Sequence, residues 1–297
     1  IMRVADQQMY GTLLGNLQRS RLQMLTSQEQ ISSQKRVTNP SDDPSAFGQI
    51  VLDKSALSQT TQWIRNINFG TARVDAADHA LGQVQNLITR VRELTVQASS
   101  DTTSAEGRQS IAKEVRQLQR QLVQLGNTEV AGQAVFGGTK TDVTPYTITA
   151  GDTVAYQGNS ETQSIAVGEN QTVQILVPGS SIFTGSTTNL FDSLRDLLTA
   201  LEGNNRSGIQ AGLGNLDLAT AQISDAQGTI GALANRLQVT HDALDTATLT
   251  ITKSISDNQD ADLATAITQL RLQEVAVQAA SQTFTKIFDA SLLNYLR

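Results

Sequence analysis

The fold is decided by residues 209–251, which read IQAGLGNLDLATAQISDAQGTIGALANRLQVTHDALDTATLTI. Apolar side chains occupy one position of seven consecutive heptads in this stretch: Ile209, Leu216, Ile223, Ile230, Leu237, Leu244 and Ile251. A repeat of this kind keeps one apolar stripe on a single side of a helix. The pattern therefore predicts one continuous helix, roughly 65 Å long at about 1.5 Å per residue.

The composition also favours long helices over a large globular core. The 297 residues are 39% apolar but only 4% aromatic, so burial must come mainly from Leu, Ile, Val and Ala. A net charge of -6 without a basic cluster disfavours nucleic acid as a partner. The absence of cysteine excludes disulfides and thiolate chemistry, and no apolar run is long enough to predict membrane insertion.

Towards the N-terminus, a second heptad stripe predicts an amphipathic helix. Its seam is formed by Tyr10, Leu17, Met24 and Ile31. The helix should end near Asn39-Pro40, because a residue that precedes proline is pushed out of helical geometry. Asp43 can then cap a new helix that has Pro44 at its first position. We therefore expect a hinge over residues 39–44.

Two further helices are expected between the hinge and Gly126. The first carries a heptad seam and should run to about Ser99. In the second, Thr103 and Glu106 match a capping box, and Gly126 supplies the stop. Between about 126 and 188 the heptads give way to alternation with glycine-rich turns, which predicts short antiparallel strands. This insert is acidic and should face solvent.

The C-terminal part returns to heptads. Asn189 is a candidate helix cap, and a final helix carries Leu263, Leu270, Val277, Phe284 and Phe288. Basic residues near the N-terminus face a C-terminal excess of acids, so we expect the two ends to pair through opposite charges. A helix without tertiary packing is marginally stable, and these ends should therefore become ordered on assembly.

Catalytic chemistry finds no support in the sequence. His79 and His241 lie in heptad helices without neighbours that would form a triad. Asp260 and Asp262 lack the Gly and closing Glu of a calcium loop, and we interpret them as a helix start. We expect no enzyme, no cofactor and no metal site.

Several motifs resemble the bacterial flagellin superfamily. They are RVTNPSDDP at 36–44, RNIN at 65–68, LITRVRELTVQA at 87–98, DADLA at 260–264 and QAASQ at 278–282. Within that superfamily, VFGGTKT at 135–141 and SLLNYL at 291–296 are similar to the hook-filament junction proteins. Residues 147–187 resemble no family.

The resemblance implies a mainly α fold, an elongated bundle of helices from both chain ends with a small central antiparallel β-rich domain. It implies an inner tube from 1–40 and 256–297, a helical shell from 41–128 and 189–255, and an outer β insert at 129–188. The chain would be a structural subunit of a ring that joins hook to filament, secreted through the flagellar type III apparatus. Its partners would be copies of itself, a hook-associated protein, flagellin, and an export chaperone on the C-terminal helix.

The same resemblance assigns an assembly interface to residues in both helical ends and the first shell helix. They are Tyr10, Leu17, Met24, Ile31, Asn39, Asp42, Asp43, Arg65, Asn66, Asn68, Arg90, Arg92, Glu93, Leu94, Asp260, Asp262, Leu263, Leu270, Val277, Phe284 and Phe288.

Three other functions stay open at this point. The chain could be a short flagellin that forms the filament itself. The β insert could be a binding module displayed at the surface, with Tyr146 and Tyr156 contacting a carbohydrate. The face from Arg90 to Gln97 also resembles a flagellin surface that an innate immune receptor recognises.

Overall fold

The computed structural model describes residues 2–185 and 188–295, and it is mainly helical, as predicted. In α1 and α7 the side chains of residues 2–7, 9–10, 284 and 287–295 lie outside the description. The helices of the described part are α1 (Met2–Ser33), α2 (Pro44–Ser99), α3 (Ala105–Gly126), α4 (Gly179–Ile182), α5 (Leu190–Glu202), α6 (Arg206–Gln259) and α7 (Leu263–Tyr295). The heptad stretch quoted above thus lies within one 54-residue helix.

The insert contains three small antiparallel strand pairs. They are β1 (Glu129–Val130) with β2 (Gln133–Ala134), β3 (Tyr146–Ile148) with β4 (Val154–Tyr156), and β5 (Ser164–Gly168) with β6 (Gln171–Gln174). Tyr146 is in register with Tyr156, and Ile165 with Val173. The prediction of short antiparallel strands is confirmed.

The chain forms two compact units. Unit 1 contains residues 1–59 and 247–297, and unit 2 contains residues 60–246. The division falls inside α2 and α6, so each of these helices contributes to both units. The three-part division expected from the resemblance stays a prediction.

Most helix ends follow the capping signals in the sequence, but the predicted end of the first helix near Asn39-Pro40 is wrong, because α1 ends at Ser33. α2 begins at Pro44, and the amide of Ala46 donates to Asp43 Oδ1 at 3.0 Å. Asn189 caps α5 by accepting from two backbone amides. The cap of α3 was misplaced by one residue, because Ser104 and not Thr103 accepts from the amide of Gly107.

Unit 2 has one continuous apolar core. It combines the seams of α2 and α6 with residues of α3 and α5 and with the insert. Phe136 and Phe183 from the insert meet edge to face, with ring centroids 5.4 Å apart, and Tyr146 packs beside them. The expectation that the insert faces solvent is therefore wrong for its apolar side chains, which close the helical core.

Within the described ranges, no helix combines the length and the apolar character needed to cross a membrane.

Candidate assembly surfaces

The two chain ends pair through α1 and α7 in unit 1. Leu17, Met24 and Ile31 are half-buried along α1, and Leu270 and Val277 are half-buried along α7. These seams are only partly covered because, in the described part, α1 and α7 pack mainly on each other, whereas a core helix packs on several others. The side chains of Tyr10, Phe284 and Phe288, predicted for the same interface, lie outside the described residues.

The predicted pairing of the two ends is confirmed, but opposite charges do not account for it in the described part. No ion pair joins α1 to α7 among the side chains that the structure describes, and those of residues 3 and 289 lie outside them. Across the pair, Ser27 Oγ donates a hydrogen bond to Gln273 Oε1 at 3.2 Å. Long charged side chains at an open surface gain little from pairing, which leaves packing as the main attraction.

Both helices of the pair also expose apolar side chains away from the seam. Those on α1 include Leu14, Leu22 and Leu25, and those on α7 include Ile267, Leu272 and Val275. Leu263, the first predicted seam residue of α7, is also exposed. Leu272 is 66% exposed and Leu22 is 63% exposed. Large apolar surface of this kind marks sites of association.

The hinge after α1 is folded by the carboxylate of Asp42. Its Oδ2 accepts from the amides of Thr38 and Asn39 at 3.0 and 2.8 Å, and from the Thr38 hydroxyl at 3.1 Å. These bonds stabilise the ionised form, and the backbone bond from Asn39 is the first cause that lowers the pKa of Asp42. The local role of Asp42 is therefore to fix the turn.

Arg36 joins Asp43 of the hinge to the end of α6. The amide of Ala46 is the main cause that lowers the pKa of Asp43, followed by the hydrogen bond from Arg36. Arg36 Nη1 donates to Asp43 Oδ2 at 3.1 Å, and its Nη2 donates to the carbonyl of Asn258 at 2.8 Å. Arg36 thus fastens the start of α2 to α6 within unit 1.

The two aspartates predicted for the interface near α7 make contacts within their own chain. Asp260 forms an isolated backbone bridge with Lys35. Asp262 accepts from the amides of Ala264 and Thr265, and the hydroxyl of Thr265 is the leading cause that lowers the pKa of Asp262. Asp262 is the N-cap of α7, as the interpretation of a helix start predicts.

The Arg-Asn motif in α2 lies in unit 2. Asn66 Nδ2 donates to the carbonyl of Ala166 at 2.9 Å and so ties α2 to β5. Arg65 is exposed and donates to Gln62 at 2.6 Å, while Asn68 is exposed. Arg65 and Asn68 remain available to a neighbouring molecule.

The Arg90 region presents charges on an exposed surface of α2 and α3. Arg90 pairs with Glu114 at 2.9 Å and with Glu93 at 3.0 Å, and the Glu114 bond is the first cause that raises the pKa of Arg90. Arg92 reaches Asp217 on α6 at 2.8 Å. Leu94 does not belong to this surface, because it is 3% exposed and packs in the core of unit 2.

The two tyrosines proposed for carbohydrate contact are not exposed. Tyr146 is 1% exposed in the aromatic cluster, and burial raises the pKa of its hydroxyl. The Tyr156 hydroxyl donates to the carbonyl of Phe136 at 2.9 Å. Both tyrosines hold the insert together, and the prediction that they form a sugar platform is wrong.

Three arginines of structural importance were missed by the sequence reasoning. Arg73 is fully buried and donates to the carbonyl of Ala134 at 2.7 Å. Arg108 donates to the carbonyls of Ala98 and Ser100, and Arg116 pairs with Asp152 of the insert. Arg73 directly precedes the seam residue Val74, so the heptad pattern itself carries no signal that Arg73 is buried. None of the described acidic or histidine side chains forms a group of three or more suited to a metal.

Two family models of bacterial flagellins match the helical ends of the chain. The model of the bacterial flagellin N-terminal helical region matches residues 4–141, and the model of the C-terminal helical region matches residues 213–296. The chain is 28% identical to flagellar hook-associated protein 3 of Salmonella typhimurium, over 100% of both chains. Its counterpart from Escherichia coli is also 28% identical, over 98% of each. Salmonella typhimurium flagellin aligns with 54% of this chain and 29% of its own length.

Solved structures share the fold. A flagellar hook-associated protein from Vibrio parahaemolyticus superposes with a TM-score of 0.68 at 21% identity, covering 74% of this chain and 100% of the other. The flagellar junction protein of Legionella pneumophila gives a TM-score of 0.60 at 16% identity, covering 71% of this chain and 100% of the other. These solved structures therefore share the fold of somewhat less than three quarters of the chain, 74% and 71% respectively.

Proposed function

The chain belongs to the bacterial flagellin family, and on that premise we propose that it is a structural subunit of the flagellum that joins the hook to the filament. The observation that carries the proposal is the extent of the similarity. The hook-associated relatives align with this chain from end to end, whereas the Salmonella typhimurium flagellin aligns with about half of it. Alignment over the whole chain favours the junction over the filament body.

Physical features of the chain support a structural role rather than a catalytic one. Leu22 and Leu272 lie exposed on a helix pair whose seam is half-buried, which suits a subunit completed by its neighbours. His79 is exposed, and His241 lies 3.3 Å from Asp245 on its own helix. Such side chains lack the constellation that catalysis requires.

The partners follow from the position of a junction layer. Copies of the chain form the ring, a hook-associated protein lies on the hook side, and flagellin lies on the filament side. The exposed apolar face of α7, which includes Leu272 and Val275, suits an export chaperone before assembly. The protein is secreted and resides outside the cell, at the hook-filament junction of the flagellum.

Deletion of the gene tests the proposal in the native organism. Hooks should remain without filaments while flagellin is lost to the medium, and the intact gene should restore filaments. Antibody label against the chain should form one thin band at the distal end of the hook. Normal filaments in the deletion strain, or label along the whole filament, would contradict the junction role.

A short flagellin is the second candidate. It is favoured by the 24% identity to flagellin FlaB1 of Treponema pallidum over 91% of each chain. A flagellin should extend seeds of itself into long filaments from purified monomer, and a junction subunit should stop after a short layer. Electron microscopy of seeded protein separates the two.

A further inference from the structure

The sulfur atoms of this chain are confined to α1. The sequence contains three methionines and no cysteine, and the methionines are Met2, Met9 and Met24. All three lie in α1, so residues 60–246, which form unit 2, contain no sulfur. Because methionine sulfur is readily oxidised by peroxides, a mild oxidant should modify this one helix and spare unit 2.

Met24 lies in the seam between the two chain ends. Its side chain is half-buried, at the seam position seven residues after Leu17 and seven before Ile31. Ser27, three residues further along α1, is 4% exposed and donates a hydrogen bond to Gln273 of α7. Residues three apart share one face of a helix, so Met24 faces α7 beside this bond.

A groove beside Met24 gives small molecules access to the seam. The groove has a volume of about 440 Å³. Its lining includes Gln23 and Ser27, which precede and follow Met24 along α1, and Leu272 and Gln273 of α7. A water molecule occupies about 30 Å³, and hydrogen peroxide is uncharged and only slightly larger. The sulfur of Met24 is therefore within reach of hydrogen peroxide in the free chain.

The oxidation of Met24 needs no other reactant than the peroxide. A lone pair of the sulfur attacks one oxygen of hydrogen peroxide, a sulfur–oxygen bond forms, and the oxygen–oxygen bond breaks. The departing hydroxide takes up the proton that remains on the transferred oxygen, which yields water. The thioether is oxidised by two electrons to the sulfoxide, and the peroxide is reduced by two.

The sulfoxide places a polar group in a seam that has little other support. It converts a flexible apolar side chain into a polar one, and burial of a polar group without a hydrogen bond is unfavourable. The described apolar core of unit 1 is the cluster around Val37, Ala46 and Ile50, and none of these residues belongs to α1 or α7. The helix pair therefore depends on its half-buried seam, in which Met24 is one of few large side chains.

We infer that Met24 is a modification site at which a peroxide weakens the α1–α7 pair of the free chain, while unit 2 keeps its fold. The inference goes beyond the junction role, because it concerns the chain before assembly. It applies equally to a junction subunit and to a short flagellin.

Treatment of the full chain with dilute hydrogen peroxide tests the inference. Peptide mass spectrometry should find one added oxygen on Met24, and the amides of residues 11–33 and 263–283 should then exchange about fivefold faster. Exchange in unit 2 should not change. Methionine sulfoxide reductases supplied with dithiothreitol return the sulfoxide to the thioether and should restore the original exchange rates.

Two leucine variants assign the effect to one sulfur. Met24→Leu keeps the apolar volume of the seam and should make exchange insensitive to peroxide. Met9→Leu is the matched control, since it makes the same change in α1 but retains Met24, and it should respond as the original chain does. A response that persists in Met24→Leu, or that disappears in Met9→Leu, would overturn the inference.

Limited digestion with trypsin provides a second readout. Arg21 on α1 and Arg271 on α7 are exposed, but cleavage inside a helix requires local opening. Oxidation should therefore speed cleavage at both sites by about fivefold in the original chain and leave it unchanged in Met24→Leu.

Two further outcomes would contradict the inference. One is a Met24 that stays unoxidised under conditions that oxidise free methionine. The other is a Met24 sulfoxide that leaves exchange and cleavage unchanged, which would show that the new oxygen is accommodated in the groove. The junction proposal is tested by the deletion strain and by the label at the hook, so either proposal can fail without the other.

Discussion

The two units use the same apolar heptads with opposite results. In unit 2 the seam residues Leu81, Val84 and Ile88 are fully buried in a core shared by four helices and the insert. In unit 1 the seam residues Leu17 and Leu270 are only half-buried by one partner helix. The difference teaches that a heptad stripe specifies a surface to be covered, while the number of neighbouring helices decides whether the monomer covers it.

Unit 2 buries enough apolar side chains to stabilise a fold, whereas unit 1 buries few. Each fully buried Leu or Ile side chain contributes about 1.5 to 3 kcal/mol relative to an exposed one. The described apolar core of unit 1 is a small cluster around Val37, Ala46 and Ile50. We expect unit 1 to gain its remaining stability from neighbouring subunits.

The largest effect expected is a contrast between two leucine truncations. Leu81→Ala should lower the free energy of unfolding by about 2 to 5 kcal/mol, because it opens a cavity in a fully buried seam. Leu270→Ala should lower it by less than about 1 kcal/mol in the monomer, since Leu270 is half exposed. Urea denaturation monitored by circular dichroism measures both. Equal losses for the two variants would refute the contrast.

Glycine substitutions sharpen the comparison. In Gly126→Ala the new Cβ would lie 2.8 Å from Cδ2 of the buried Tyr146, so we expect a loss of about 1 to 3 kcal/mol. In Gly15→Ala nothing lies within 4 Å of the new Cβ, and the greater helix propensity of Ala should stabilise α1 by up to about 1 kcal/mol. Thermal unfolding should show a lower Tm for Gly126→Ala and a higher Tm for Gly15→Ala. A stabilising Gly126→Ala would show that the ring of Tyr146 moves freely.

Surface ion pairs should affect the free energy of unfolding less than the leucine or the glycine substitutions do. A double-mutant cycle of Arg92→Ala and Asp217→Ala should give a coupling of about 0.2 to 1 kcal/mol, because both partners are exposed to solvent at 52% and 57%. The coupling should shrink in high salt. A coupling of several kcal/mol would mean that this pair holds α2 to α6 in unit 2.

The smallest effect is a local response of unit 1 to acid. The pKa values of Asp42 and Asp43 are lowered in the folded chain, so both groups stabilise it above the unfolded value of 3.8. That stability is lost as the pH falls through the lower folded values. Carboxyl titration by NMR should place both below 3.8, and Asp42→Asn should weaken the turn at neutral pH. Titration of Asp42 at 3.8 or above would contradict the assigned hydrogen bonds.

Repeating patterns were readable from the sequence because each repeat is a local consequence of helix geometry. The seven-residue seam from Ile209 predicted α6, and Asp43 with Pro44 predicted the start of α2. The cap at Ser104 was missed by one position because Thr103 and Ser104 have similar capping chemistry.

Contacts between distant segments were less predictable. Leu94 lies in a motif that resembles an assembly surface, but the packing of unit 2 buries it. The acidic insert appeared independent because its charge is a local property, whereas its burial against α2, through Arg73 and Ala134, depends on residues 61 positions apart.

Hydrogen exchange on the full chain tests the central claim most directly. In the monomer, backbone amides of α2 and α6 in unit 2 should exchange slowly, and those of α1 and of α7 from 263 to 283 should exchange much faster. In assembled junctions, the α1 and α7 amides should become protected to a degree similar to that of the α2 and α6 amides. Equal protection of both units in the monomer would contradict the account that unit 1 is completed by its neighbours.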